Sequence, residues 1–295
     1  MTIDLWIIAA LGGCGFAAGL IGALLGLGGG IFLVPALTLG LGLPFGVAAG
    51  TSLVAVAATS AAGSSTYVRT RLTNIRLGVL LGPATVAAAS GAALVAQAID
   101  GRILRALFAG LLIYTAASML RAGQPAAQPA ARPDTRPAEL PAGAWQLAGS
   151  YEDAQLGETV RYTAGRLPLG LAASLLGGTL SGLLGVGGGI VQVPVMHLLM
   201  GVPLKVATGT SSFLIGITAA ASALIYYAHD RINPVLAAPA ALAVLGGARL
   251  GATLVQRLPS GTLKRIFAVV ALLVALQMLL QAVDACPWCA SVPHG

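Results

Sequence analysis

The sequence predicts an all-α polytopic membrane protein of two homologous repeats, each of four long helices plus one short half-helix, the repeats inverted relative to one another. Three observations predict it. Of 295 residues, 57% are hydrophobic and only 8% charged, whereas soluble chains carry about 25% charged residues. Apolar blocks of spanning length follow one another along most of the chain. The chain also matches itself at a shift of 159 residues.

The blocks run at 5–25, 31–42, 46–67, 77–98, 103–121, 167–184, 190–200, 206–228, 234–256 and 263–284. A spanning helix needs about 20 residues, so 31–42 and 190–200 are too short to cross unaided. Each follows a glycine cluster. The first block has no positively charged region before it and carries Asp4, so a cleaved signal peptide is not expected. The 40 glycines suit close helix–helix approach in lipid. The expected organisation is a repeat at 1–121, a hydrophilic linker at 122–166, a second repeat at 167–284 and a tail at 285–295. The linker holds Pro125, Pro129, Pro133, Pro137 and Pro141, an extended solvated composition. Its later part alternates at 145–151 and 159–163 around a turn, which predicts a β-hairpin.

The repeat is carried by polar and proline positions, where chance self-matching is rare. Gly26-Leu27-Gly28-Gly29-Gly30-Ile31 falls on Gly185-Val186-Gly187-Gly188-Gly189-Ile190, Pro35 on Pro194, Pro44 on Pro203, Gly50-Thr51-Ser52 on Gly209-Thr210-Ser211, and Asn74 on Asn233. Between 26 and 52, 15 of 27 positions are identical to their partners. Paired half-repeats of this form, with GGG before a short apolar piece, a proline, and then VAxGTS, resemble the TauE/SafE family of membrane proteins, the sulfite and organosulfonate exporters. The resemblance covers roughly 12–121 and 167–281. It implies a transporter for sulfite, sulfonates, another small sulfur-containing anion or an organic acid, and the linker resembles an insertion found in some members.

Independently of that resemblance, the glycine clusters have a physical reading. Four glycines in five positions cost a helix about 1 kcal/mol each relative to alanine and let the backbone turn. A break is therefore expected at Gly28, Gly29 and Gly30, with a half-helix beginning near Ile31 or Phe32, and likewise at Gly187, Gly188 and Gly189 with Ile190. A helix start exposes unpaired N–H groups that favour anions, and interrupted segments at matching places in two halves point to a transporter's binding site. The alternative is that these glycines serve only close packing. Thr51, Ser52, Thr210, Ser211 and Ser212 offer neutral donors suited to an oxyanion, or else bond back to their own helix turn. Gln192 is a further candidate contact. Asn74 and Asn233 read as turn residues. Arg249, inside a span, either faces the anion or snorkels toward the Arg257 end. His197 either couples a proton or is a hydrogen-bonded structural residue.

No Asp or Glu lies mid-span, and no GxxxxGK[ST] motif is present, so neither a carboxylate relay nor ATP drive within this chain is expected. No cofactor, metal or enzymatic activity is expected. Partners are a small anion, the bilayer and, as one option, a second copy in a homodimer; the 16 cations flank apolar blocks and read as topology markers rather than a nucleic-acid surface. With five membrane elements per half, 12 cations share the linker's side against three, Arg102, Arg105 and Arg231, on the other. With four crossings per half the division is 9 to 6, which favours the lopsided inverted arrangement. The linker is then cytoplasmic and both termini lie outside a plasma or inner membrane. Cys286 and Cys289 form a CxxC on the oxidising side, open to a disulfide, to two free thiols, or to thiol–redox exchange as a competing function. The membrane potential drives anion export, about 2.3 kcal/mol per charge per 100 mV. An importer of sulfonates or other small organic anions is the directional alternative.

Overall fold

The computed structural model describes residues 5–121, 147–153 and 158–257, together with Val269, Leu272, Leu273, Ala275 and Leu276. Helix α1 (Leu5–Leu25) is followed by a short α2 (Gly30–Pro35) that widens into a π-helical turn at Ala36–Gly40. Three long helices follow: α3 (Phe45–Arg69), α4 (Ile75–Ala96) and α5 (Gly101–Arg121). After an antiparallel hairpin, β1 (Ala148–Asp153) and β2 (Glu158–Thr163), the helical pattern recurs. It comprises α6 (Leu167–Leu184), α7 (Gly189–Pro194) with a π turn at Val195–Leu199, α8 (Leu204–Ala228) and α9 (Pro234–Arg257).

Local chemistry explains the boundaries. Pro35 and Pro194 each end an α segment, because the ring cannot donate to the carbonyl four residues back, and the ladder widens immediately afterwards. Pro44 and Pro203 precede α3 and α8 in extended conformation, with φ −54° and ψ 140° in both. Asn74 caps α4, its side-chain oxygen accepting from the Leu77 amide at 3.1 Å.

Five described helices are long and apolar enough to cross a bilayer: α3, α4, α6, α8 and α9 as far as Leu254. The polarity of the bundle is that of a lipid-facing protein. Leu224 is 72% and Leu242 71% exposed, while Thr51, Ser52, Thr210 and Ser211 are wholly buried. Water could not favour that distribution; hydrocarbon does, because polar groups in lipid must find partners inside the protein.

The two sequence halves exchange helices. The most extensive packing is α1 on α9 and α4 on α6, each pairing a helix before the linker with one after it, and α3 packs on α8. Small residues set the spacing. A Cβ at Gly19 or Gly178 would run into the backbone of Val244 or Thr85, and both glycines and both partners stand 159 residues apart. The hairpin seals against the helices. Leu147, Tyr151 and Ala164 are buried, and Gly165 N donates to Met200 O at 3.0 Å.

Candidate functional site

Both glycine clusters break the chain, and the two breaks meet. Gly28 and Gly187 have φ of 76° and 91°, a left-handed backbone that excludes side chains. Gly29 and Gly188 follow at 76° and 70° and start α2 and α7. A Cβ at Gly28 would stand 2.8 Å from Val56 Cγ1 and 3.0 Å from Ile215 Cγ2; one at Gly187 would stand 2.7 Å from Ile215 and 2.9 Å from Val56. Both turns are therefore clasped between α3 and α8. They also touch each other. A Cβ at Gly30 would lie 2.7 Å from Gly185 O, and one at Gly189 would collide with Gly26 O.

The hydroxyls of the repeated GTS motif divide by direction. Ser52 Oγ donates to Gly185 O at 3.1 Å and Ser211 Oγ to Gly26 O at 3.0 Å. Each serine thus holds the break of the opposite half. Thr210 Oγ1 accepts from the Asn74 amide at 3.0 Å, whereas Thr51 Oγ1 is buried without a partner. Ser212 lies where a Cβ on Gly63 would come within 3.3 Å of its Oγ. Two tyrosines brace the helices leading into the breaks: Tyr67 Oη donates to Ala23 O at 2.5 Å and Tyr226 Oη to Gly182 O at 3.0 Å. These residues again differ by 159 in both partners. Sequence reasoning did not single out the tyrosines, although Tyr67 and Tyr226 are in register and could have been found at the repeat shift.

The breaks leave donors over. Among the described residues, no backbone carbonyl accepts from the amides of Gly29, Gly30 and Ile31, or of Gly188, Gly189 and Ile190. All six residues are buried. A buried N–H normally has a partner, so a cluster of six is an opening for an acceptor.

The structure brings together Gly28–Ile31, Ser52, Gly187–Ile190 and Ser211. It does not bring Arg249 to them; that residue is exposed on α9. His197 is half-buried on the turn after α7, its Nδ1 3.0 Å from Val202 O. A carbonyl can only accept, so that nitrogen carries the proton. Gln192 is buried, its Nε2 3.4 Å from Thr85 Oγ1. Asn233 Oδ1 accepts from Val235 N at 3.0 Å, as a turn residue does. Cys14 is free and exposed. Cys286 and Cys289 lie outside the described residues. Among the described residues no group of three metal-ligating side chains gathers.

Residues 11–278 match the family described as Sulfite exporter TauE/SafE. The chain belongs to the TauE/SafE family. It is 26% identical over 276 residues, 91% of this chain and 96% of the relative, to a Bacillus subtilis (strain 168) protein named "Probable membrane transporter protein YunE". A second relative from the same strain, "Probable membrane transporter protein YdhB", is 26% identical over 251 residues, 84% of this chain and 91% of the relative. No solved structure matches the chain significantly. The chain is thus a multi-pass membrane transporter of the TauE/SafE family.

Proposed function

We propose that this TauE/SafE transporter exports a small sulfur-containing anion, sulfite or an organosulfonate, binding it between two inverted repeats at Gly28–Ile31 and Gly187–Ile190. The observation that carries the reading is the set of six buried, unpaired amides at two touching helix breaks. An oxyanion supplies several acceptor oxygens and a charge that the helix starts favour. Ser52 and Ser211 hold the two breaks in apposition; on opening, the same hydroxyls become free to donate to the passing anion.

The repeats are assigned to 1–121 and 167–284. Reciprocal packing supports a two-fold relation between them: what α1 does to α9, α6 does to α4. The arginine distribution supports inversion, with the linker and hairpin cytoplasmic and both termini outside. Among the described residues no carboxylate lies in the middle of a helix, which favours drive by the membrane potential over a carboxylate proton relay. His197 is the candidate if a proton is coupled.

Purified protein in proteoliposomes tests the reading. With the protein's outward direction positive, sulfite or an organosulfonate should leave at a rate that rises with the potential. Gly29→Leu and Gly188→Leu should abolish flux, and His197→Gln separates proton-coupled from potential-driven export by its effect on the pH gradient. Equal flux from protein-free vesicles, or full flux in both glycine variants, would refute the proposal.

A further inference from the structure

The two halves match at the breaks but not one helix away. Four polar residues, Thr85, Ser174, Ser181 and Gln192, lie together between α4, α6 and α7, each at most 2% exposed. The positions 159 residues away are Val244, Gly15, Gly22 and Leu33. Hydrogen-bonding groups are thus present on one side of the duplicated scaffold and replaced by apolar or absent side chains on the other.

Their geometry leaves a specific vacancy in bonding. Ser174, Gly177 and Ser181 follow one another along a face of α6. A Cβ at Gly177 would stand 3.2 Å from Gln192 Cγ and 3.7 Å from Cδ, so the glutamine lies across that glycine between the two serines. Thr85 Oγ1 donates its only proton to Leu81 O at 2.8 Å. Toward Gln192 it can therefore only accept, which turns the glutamine's Nε2 to Thr85 at 3.4 Å and its Oε1 away. Gln192 Oε1, Ser174 Oγ and Ser181 Oγ are all buried with no partner. The cluster adjoins the second break, since a Cβ at Gly188 would lie 3.5 Å from Ser181 Cβ.

The chemistry of the unmet groups selects the ligand. Two hydroxyls can donate or accept, but the glutamine oxygen only accepts. A bare cation would have no counter-charge, because no carboxylate lies in α4, α6 or α7. An anion without hydrogens would meet the lone pairs of Oε1. A small anion that carries its own O–H or N–H satisfies both ends: its oxyanion accepts hydrogen bonds from Ser181 and the amides of the break, and its donor goes to Gln192. Resting on the anion-transport reading, we propose that Gln192 makes this transporter selective for oxyanions bearing a hydrogen-bond donor on a substituent, such as hydroxy- or amino-substituted sulfonates. A site that leaves a buried polar group unpaired discriminates strongly against the analogue lacking the matching group.

A matched pair tests this: 2-hydroxyethanesulfonate and propane-1-sulfonate, which differ by hydroxyl against methyl, titrated calorimetrically into the purified full-length protein. The wild type should bind the hydroxylated anion at least about tenfold more tightly, a difference of about 1.4 kcal/mol. Gln192→Leu, which installs the residue found at position 33, should bring the two within about twofold. Gln192→Met does the same with an unbranched chain should leucine fail to fold. Ser181→Ala should weaken both ligands and keep the preference. Equal wild-type affinities, or a preference that survives both Gln192 substitutions, overturn the proposal and leave the cluster to buried water. Binding of sulfite with neither sulfonate also overturns it. Binding of none of the three anions would instead sink the anion-transport reading itself.

Discussion

Ser52 and Ser211 show what one hydroxyl does when its partner is the other half of the molecule. Each is fully buried and donates to a carbonyl in the opposite break. Hydrogen bonds between membrane helices contribute about 0.6 kcal/mol on average, so Ser52→Ala and Ser211→Ala should each lower stability by about 0.5–1 kcal/mol, and by similar amounts, in denaturant titrations in detergent. The neighbouring threonines should behave differently from each other. Thr210→Val strands the Asn74 amide and should cost about 1–3 kcal/mol. Thr51→Val removes a hydroxyl that has no partner and should be neutral or stabilising in the same titration. The sequence carried the duplicated GTS motif plainly. It could not show which hydroxyl faces which neighbour, because residues 51 and 52 lie about 100° apart around the helix and the carbonyls that Ser52 and Ser211 bond lie more than 130 residues away.

At the level of elements, backbone proximity between α1 and α9 replaces side-chain interdigitation. A Cβ at Gly247 would collide with Phe16 O, whereas one at Gly246 would meet only the Phe16 ring at 3.5 Å, an ordinary contact. Gly247→Ala should therefore destabilise by about 1–3 kcal/mol, and Gly246→Ala should be neutral or stabilise the helix, as read from melting temperatures of the two proteins. The hairpin is tied to the bundle by Asn74 Nδ2, which donates to Tyr162 Oη at 3.3 Å, and Asn74 itself contacts Thr210. Tyr162→Phe should speed hydrogen exchange across 148–163 without changing it in α3. Burial raises the Tyr162 phenol above its ordinary value, with the Asn74 bond a smaller opposing effect. A docked phenol that resists ionisation stabilises docking below the ordinary tyrosine value, and that stability declines as pH rises past about 10 and the undocked phenol ionises. Alternation in the sequence indicated strands here; their packing against a turn 88 residues earlier leaves no local pattern to find.

For the whole molecule, exchange of α1 and α6 between halves makes each half incomplete alone. α1 loses its main partner if α9 is removed, and α4 loses its own if α6 is removed. Residues 1–140 and 141–295 expressed as separate chains should therefore be unstable singly and co-purify when made together. The repeat shift made the two breaks legible from composition alone, since glycine clusters before truncated apolar blocks have few other uses. That the breaks touch was not legible, because periodicity along one chain says nothing about which face of a bundle meets another. The departure from symmetry at Gln192 became meaningful only when its position opposite Thr85 was known. The proposed anion site rests on the six unpaired amides. Hydrogen exchange of the reconstituted protein, with and without saturating sulfite, follows them directly. Slower exchange at both 28–31 and 187–190 on adding sulfite is the predicted result; saturable sulfite binding that leaves both stretches unchanged would contradict it.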